Sequence, residues 1–335
     1  MPLSPEQEAL AQARFNFWKQ KRWYVETMGG PDVLLAVIRH EIEREDLSSS
    51  AGVSVQAQTL DAKQDSRLVH LEDGMFGEIA VIQDSQWVRS MRFGVNGPRQ
   101  SIVDLIEPHT LLLRYAKVCM LGLAVLTDCR SVLVVGLGAG SIPMFLRHYF
   151  PNAQIDVVEI DAAVVKVAKQ FFMFNEDKGL KVFIEDGRTF AQSAKKTYDL
   201  IIVDAFASEM LPEHLATVEA FHTFKSCLTT TGVLVANAWG SDFNEPFLQL
   251  VRSIRSVFLS CYVAMVPFMV NRIVFASNHA RDVGEMIIGR ARQVSVEYGL
   301  PFSLEDQLST ENTSLNEQIL QLVQSSTQLL TDPRR

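Results

Sequence analysis

Between Ser131 and Phe145 the chain reads SVLVVGLGAGSIPMF, an apolar run that ends in three closely spaced glycines and resumes as a helix-like stretch. Few local patterns restrict a fold as strongly. Glycine lets a buried strand turn sharply into a helix and brings backbone N–H groups to a ligand at that helix N-terminus. The following segments keep the same rhythm. QIDVVEID, KVFIEDG, YDLIIVDAF and GVLVANAW are apolar runs with polar ends, separated by helical stretches such as AAVVKVAKQFF and TVEAFHTFKSCL. Near-continuous apolar strands are covered on both faces, which marks a parallel sheet wrapped by helices. FLSCYVAMVPF and NRIVFASN then read as a hairpin closing one sheet edge. The expected fold is α/β, a Rossmann-like, mostly parallel sheet with helices on both faces and an antiparallel strand pair at one edge.

Four regions separate along the 335 residues. Residues 1–66 read as an N-terminal helical extension, capped at Ser4, followed by a polar linker. Its aromatics Phe15, Phe17, Trp18, Trp23 and Tyr24 recur at helical spacing and are expected to dock on the body or on a partner subunit. In residues 67–104 the period changes to two, and LVHLED, GEIAVIQD and WVRSMRFGV read as short strands of a small antiparallel β unit. Residues 105–280 form the Rossmann-like unit, which opens with a buried helix over Tyr115–Leu126. Residues 281–335 read as C-terminal helices.

Composition narrows the partners. A net charge of −8 argues against nucleic acid, whose phosphates are bound by neutralising Lys and Arg, and suits a cationic acceptor. No apolar run approaches the roughly 20 residues that cross a bilayer, and the polar start MPLSPEQEALAQARF lacks the apolar core of a signal peptide. The expectation is a cytoplasmic protein with no membrane contact. Four scattered cysteines and seven histidines without ligand spacing predict reduced core thiols and no metal site.

Candidate chemistry lies at the carboxyl ends of the strands, where open parallel sheets bind ligands. Gly136, Gly138 and Gly140 form the turn. Glu159, ending the next strand about 20 positions on, is placed to accept both hydroxyls of a ribose, while Asp161 reads as a helix N-cap. Asp186 is placed to accept from an adenine amine, with Gly187 leaving room for the ring, and Asp204 ends the fourth strand in the same crevice. The order G-x-G-x-G departs from the dinucleotide G-x-G-x-x-G, which points to a single nucleoside such as S-adenosylmethionine. His214 and His222 read as surface or helix-face residues, with a proton relay as the alternative.

VVGLGAGS, VVEID, EDGRTF, YDLIIVDAF, LPEHLATVEAF and GVLVANAW together resemble the spermidine synthase family, which shares the class I methyltransferase fold. GEIAVIQD, WVRSMRFGV and RQS resemble the small β domain of aminopropyltransferases. The resemblance covers roughly residues 67–277. It implies that Glu159 holds the ribose, Asp186 the adenine and Asp204 the amine nucleophile of the acceptor, with Tyr115, Glu209 and Trp239 as candidate acceptor contacts. It also implies a donor that is S-adenosylmethionine or its decarboxylated form, an amine or polyamine acceptor, and a homodimer.

Two departures divide the reaction. The family's glycine loop carries an Asp where this chain has Ala139, and a second Asp after the catalytic one is replaced by Ala207; Glu209 or Asp104 is left to compensate. Aminopropyl transfer to an amine and methyl transfer from S-adenosylmethionine both stay open, beside a non-catalytic relative that keeps the nucleoside pocket.

Overall fold

The computed structural model describes residues 66–205, 211–239, 245–267, 269, 271–308, 316, 318, 319, 321–323 and 329–333. The readings of the N-terminal extension, of Ala207 and Glu209, and of much of the last helical stretch fall outside the described residues.

The chain begins its described part with four antiparallel strands, β1 (Arg67–Gly74), β2 (Gly77–Gln83), β3 (Val88–Phe93) and β4 (Arg99–Asp104), hydrogen bonded in that order. Sequence periodicity shows the first three. β4 is missed because RQSIVD buries three consecutive residues and so breaks the alternation. The turn between β1 and β2 reaches the larger unit, where the Met75 N–H donates to Asp161 Oδ2 at 2.7 Å.

The expected buried helix is two elements, an α-helix α1 (Arg114–Cys119) and a 3-10 turn over Met120–Val125. All six residues of the 3-10 turn are buried, so it carries no polar face to set a helical period. Then strand and helix alternate: β5 (Ser131–Val135), α2 (Ser141–Tyr149), β6 (Gln154–Glu159), α3 (Ala162–Phe171), β7 (Leu180–Ile184), α4 (Gly187–Ser193), β8 (Tyr198–Val203), α5 (Glu213–Ala216), α6 (Val218–Ser226) and β9 (Leu228–Trp239). After α7 (Glu245–Val257), strands β10 (Ser260–Met265) and β11 (Asn271–Ser277) form the antiparallel pair, and α8 (Val283–Glu297) follows.

The seven strands run in the order β10-β11-β9-β8-β5-β6-β7. β7, β6, β5, β8 and β9 are parallel, and β11 pairs antiparallel with both β9 and β10. This is the class I methyltransferase arrangement, and the fold class read from the sequence stands. Apolar clusters cover both faces of the sheet, one around Phe145, Phe172 and Phe174, the other around Phe221, Phe224 and Ile254. β7 departs from the two-sided burial inferred from its apolar run. It is the edge strand, and Phe183 and Ile184 are exposed. Among the described residues no helix is long and apolar enough to cross a membrane.

Candidate active site

The reversal of strand order between β5 and its neighbours β6 and β8 opens a crevice at the strand tips, the position where such sheets bind ligands. A cavity of about 260 Å³ occupies it. Gly136, Gly138, Glu159, Asp186, Gly187, Asp204 and Tyr115 all line this cavity. The small sheet closes it from the other side with Met91, Phe93, Gln100 and Ser101, and Phe76 overhangs from the β1–β2 turn.

The glycine turn is built by backbone constraint. Gly136, Gly138 and Gly140 all have positive φ, and Gly140 forms the N-terminal boundary of α2. At Gly136, with φ of 101°, an added Cβ would lie 2.2 Å from the Asp204 carbonyl oxygen. The turn therefore passes against the β8 tip with no room for any side chain. Pro143 sits in the first turn of α2, where its missing N–H costs nothing.

Glu159 fastens that turn. Its Oε2 accepts the Leu137 N–H at 2.9 Å and its Oε1 the Asp161 N–H at 3.0 Å. Burial raises its carboxyl above the usual value, against the pull of those amides. Asp161 itself caps α3, accepting from the Ala163 N–H at 2.8 Å.

Asp186 caps α4. Its Oδ1 accepts from the Thr189 N–H at 2.9 Å and from the Thr189 hydroxyl at 3.0 Å. Its Oδ2 lies 2.7 Å from His214 Nε2. Burial pushes this carboxyl up, but the Thr189 amide and His214 together hold it below its usual value. Gly187 lines the cavity, and its missing side chain also lets α4 pack on β5, because an added Cβ would meet Val135. His214 lines the cavity, whereas His222 is exposed on α6.

The carboxylate of Asp204, one residue beyond β8, is met by side chains. Asn237 Nδ2 donates to its Oδ1 at 2.8 Å and the Tyr115 hydroxyl to its Oδ2 at 3.1 Å. Asn237 is in turn oriented by Asn271, whose Nδ2 donates to Asn237 Oδ1 at 3.0 Å. Desolvation raises the Asp204 carboxyl to about 6, the two hydrogen bonds limiting the rise. The same surroundings push the Tyr115 hydroxyl well above its ordinary value, first by burial and then by the neighbouring carboxylate, so Tyr115 is a donor. Sequence reasoning missed Asn237 and Asn271. The available signal was a lone amide in the apolar strand GVLVANAW, which a buried strand tolerates only when its hydrogen bonds are met.

Of the two acids that the sequence left to compensate for Ala139 and Ala207, Asp104 is described and is not at the cavity. Asp104 turns back on its own loop, accepting from the Ile106 and Glu107 N–H groups at 2.8 and 3.2 Å, and it does not line the cavity. Glu209 and the Trp239 side chain lie outside the described residues; Trp239 ends β9. Ala139 is wholly buried, packed in the apolar layer under the turn. Among the described residues no cluster of three or more His, Cys, Asp or Glu side chains could hold a metal ion. The four cysteines are free; Cys119, Cys129 and Cys227 are buried.

Comparison with known proteins agrees with this geometry. Residues 116–282 match the family described as "Spermine/spermidine synthase domain". The polyamine aminopropyltransferase of Vibrio vulnificus (strain CMCP6) is 29% identical over 208 residues, which is 60% of this chain and 69% of that protein. The Homo sapiens eEF1A lysine and N-terminal methyltransferase is 31% identical over 193 residues, 52% of this chain but only 28% of that protein. Both relatives are transferases by name. A probable spermidine synthase from Corynebacterium glutamicum ATCC 13032 superposes with a TM-score of 0.63 at 20% identity, over 80% of this chain and 98% of that one, a likeness of fold. The seven-stranded unit of this chain thus matches the spermine/spermidine synthase domain and is built on the class I methyltransferase fold.

Proposed function

We propose that this protein transfers an aminopropyl group from decarboxylated S-adenosylmethionine to an amine acceptor of the polyamine type. The observation that carries the reading is Asp204. It is a partly buried carboxylate lining the cavity, held by two neutral hydrogen-bond donors and poised near pH 6. A protonated amine has no lone pair with which to attack carbon. At neutral pH Asp204 is ionised and within its environment is basic enough to take that proton. The amine lone pair then forms the C–N bond as the C–S bond breaks, and the electron pair leaves on sulfur as a neutral thioether. Gly136, Gly138, Gly140 and Glu159 hold the ribose side and Asp186 the adenine side. Tyr115, Glu209 and Trp239 face the acceptor in this reading. The enzyme's main contribution is alignment of the two reactants. A cytoplasmic homodimer goes with this reading, and sedimentation of the purified protein checks the dimer.

A second reading, methyl transfer from S-adenosylmethionine, is favoured by Ala139, which places no carboxylate beneath the glycine turn for a donor ammonium. Calorimetric titration with the two donors separates them. A preference of ~10-fold for the decarboxylated donor, ~1.4 kcal/mol, supports aminopropyl transfer. The opposite preference overturns it in favour of methyl transfer.

A further inference from the structure

The cavity wall around Asp186 is tied to a part of the chain remote from every strand tip. His214, on α5, meets Asp186 on one side, and its carbonyl accepts from Arg188 Nη1 at 3.2 Å. Arg188, on α4, has a side chain only 15% exposed. It presents both terminal nitrogens to Asp332, Nη1 to Oδ1 at 2.7 Å and Nη2 to Oδ2 at 2.6 Å. Asp332 Oδ1 also accepts from the Thr217 hydroxyl at 2.9 Å, at the start of α6. The segment around it is held by backbone as well. The Asp332 N–H donates to Glu219 Oε2 at 3.0 Å, the Val218 N–H to the Leu330 carbonyl at 2.8 Å, and the Leu330 N–H to Ser253 Oγ at 2.9 Å.

We propose that Asp332 is a positioning residue for the nucleoside site, clasping α4 to the α5–α6 segment so that Asp186 and His214 face the cavity in fixed register. The inference rests on the reading of this cavity as an adenosyl site. Asp186 is the cap of the helix that carries Arg188, two residues on. Pro212, His214 and Leu215, which line the cavity on its other side, precede the helix capped by Thr217. The two walls are separate pieces of chain, and Asp332 is bonded to both. A planar guanidinium met by both oxygens of one carboxylate fixes orientation as well as distance. Binding walls need that control, since loss of register by a fraction of an ångström weakens a site. Arg188 Nε is buried and has no hydrogen-bond partner, so the Asp332 fork and the His214 carbonyl are the contacts that set this side chain.

The test is the affinity of the full chain for S-adenosylhomocysteine and for 5′-methylthioadenosine, which share only the adenosine and the thioether sulfur. Asp332→Ala is expected to weaken both by ~10-fold alike, with kcat at saturating donor within ~2-fold of the parent. Asp332→Glu is expected to recover most of the loss. Asp128→Ala, which removes one acid from an exposed pair with Arg130, is expected to leave both affinities unchanged. An unaltered affinity in folded Asp332→Ala overturns the inference. So does a loss that tracks thermal stability, lowers kcat equally and is not recovered by glutamate, because that pattern belongs to a structural role. If Asp332→Ala does not fold, Arg188→Lys keeps the charge without the fork and is expected to show the same split; normal affinity there overturns the inference. A parent protein that binds neither adenosyl thioether overturns the adenosyl reading itself, and the clasp with it.

Discussion

At the β7 tip Asp186 leans on a backbone N–H, a hydroxyl and an imidazole, and its carboxyl sits below the usual value; at the β8 tip Asp204 leans on one amide side chain and one phenol, and sits near 6. The two acids are of one type and line one cavity. What separates them is burial and the kind of donor. Asp186 is partly open, and the Thr189 N–H at the helix N-terminus together with the His214 hydrogen bond favours its anion. Among the described residues Asp204 is met by two neutral donors, so desolvation dominates. Glu159 stands between them, taking two backbone amides yet raised by burial. In the proposed function the cavity therefore has a gripping side built from carboxylates and backbone, and a reacting side whose proton is exchangeable.

The largest test of that division is on the gripping side. Glu159→Ala removes the acceptor for the Leu137 and Asp161 amides together with the ribose partner, and is expected to abolish nucleoside binding; near-normal donor affinity in calorimetry would sink the assignment. On the reacting side, Asp204→Asn is expected to keep donor affinity while turnover drops by at least ~10²-fold. An unchanged rate removes Asp204 from the mechanism. The same variant reports on stability. A carboxyl raised from 3.8 to about 6 contributes stability that is fully present below pH 3.8 and lost as pH rises through 6, at most about 3 kcal/mol. Asp204→Asn is therefore expected to melt above the parent at pH 8, and the gap should close toward pH 4.

A smaller effect sharpens the reacting side. If Asp204 takes the amine proton, kcat/KM rises with pH to a limb near 6. The Tyr115 hydroxyl lowers that value by donating to the carboxylate, so Tyr115→Phe is expected to move the limb to higher pH. Activity at pH 6 then falls while activity at pH 8 is largely kept. A limb that stays in place shows that the hydrogen bond of 3.1 Å does not tune the acid. Asn237→Ala is expected to move the limb the same way, since it removes the other donor.

Much of this was open to reading in the sequence because the strand tips are where one-dimensional pattern and three-dimensional position coincide. An apolar run ending in glycine, Glu or Asp places its last residue at the crevice whatever the loops do, which is how Gly136, Glu159, Asp186 and Asp204 were found. The parts that were not legible depend on pairing across the sheet. Asn271 reaches Asn237 only because β11 runs antiparallel beside β9, with Asn271 opposite Trp239 and Ile273 opposite Asn237. Asp332 meets Arg188 across 144 residues, and no local period announces such a contact. Gly187 was legible as a glycine at the crevice, but its close approach to Val135 belongs to packing between α4 and β5.

The smallest expected effect concerns an acid that sequence proximity made a candidate for the reacting side. Asp104 ends β4, a strand whose Gln100 and Ser101 do line the cavity, so its position along the chain is suggestive. Its carboxylate is spent on the two N–H groups that follow it, an Asx-type turn that shapes the loop into α1. Asp104→Ser retains a side-chain oxygen for that turn and removes the charge. The expected outcome is an acceptor KM within ~2-fold of the parent, with stability changed by at most about 1 kcal/mol, as for other surface caps. A KM for a diamine raised ~10-fold with kcat intact would instead mean that the loop reorganises when acceptor binds. It would also mean that the reacting side recruits a fixed charge beside Asp204, and the contrast between a gripping side of fixed charges and a reacting side with one exchangeable proton would fail.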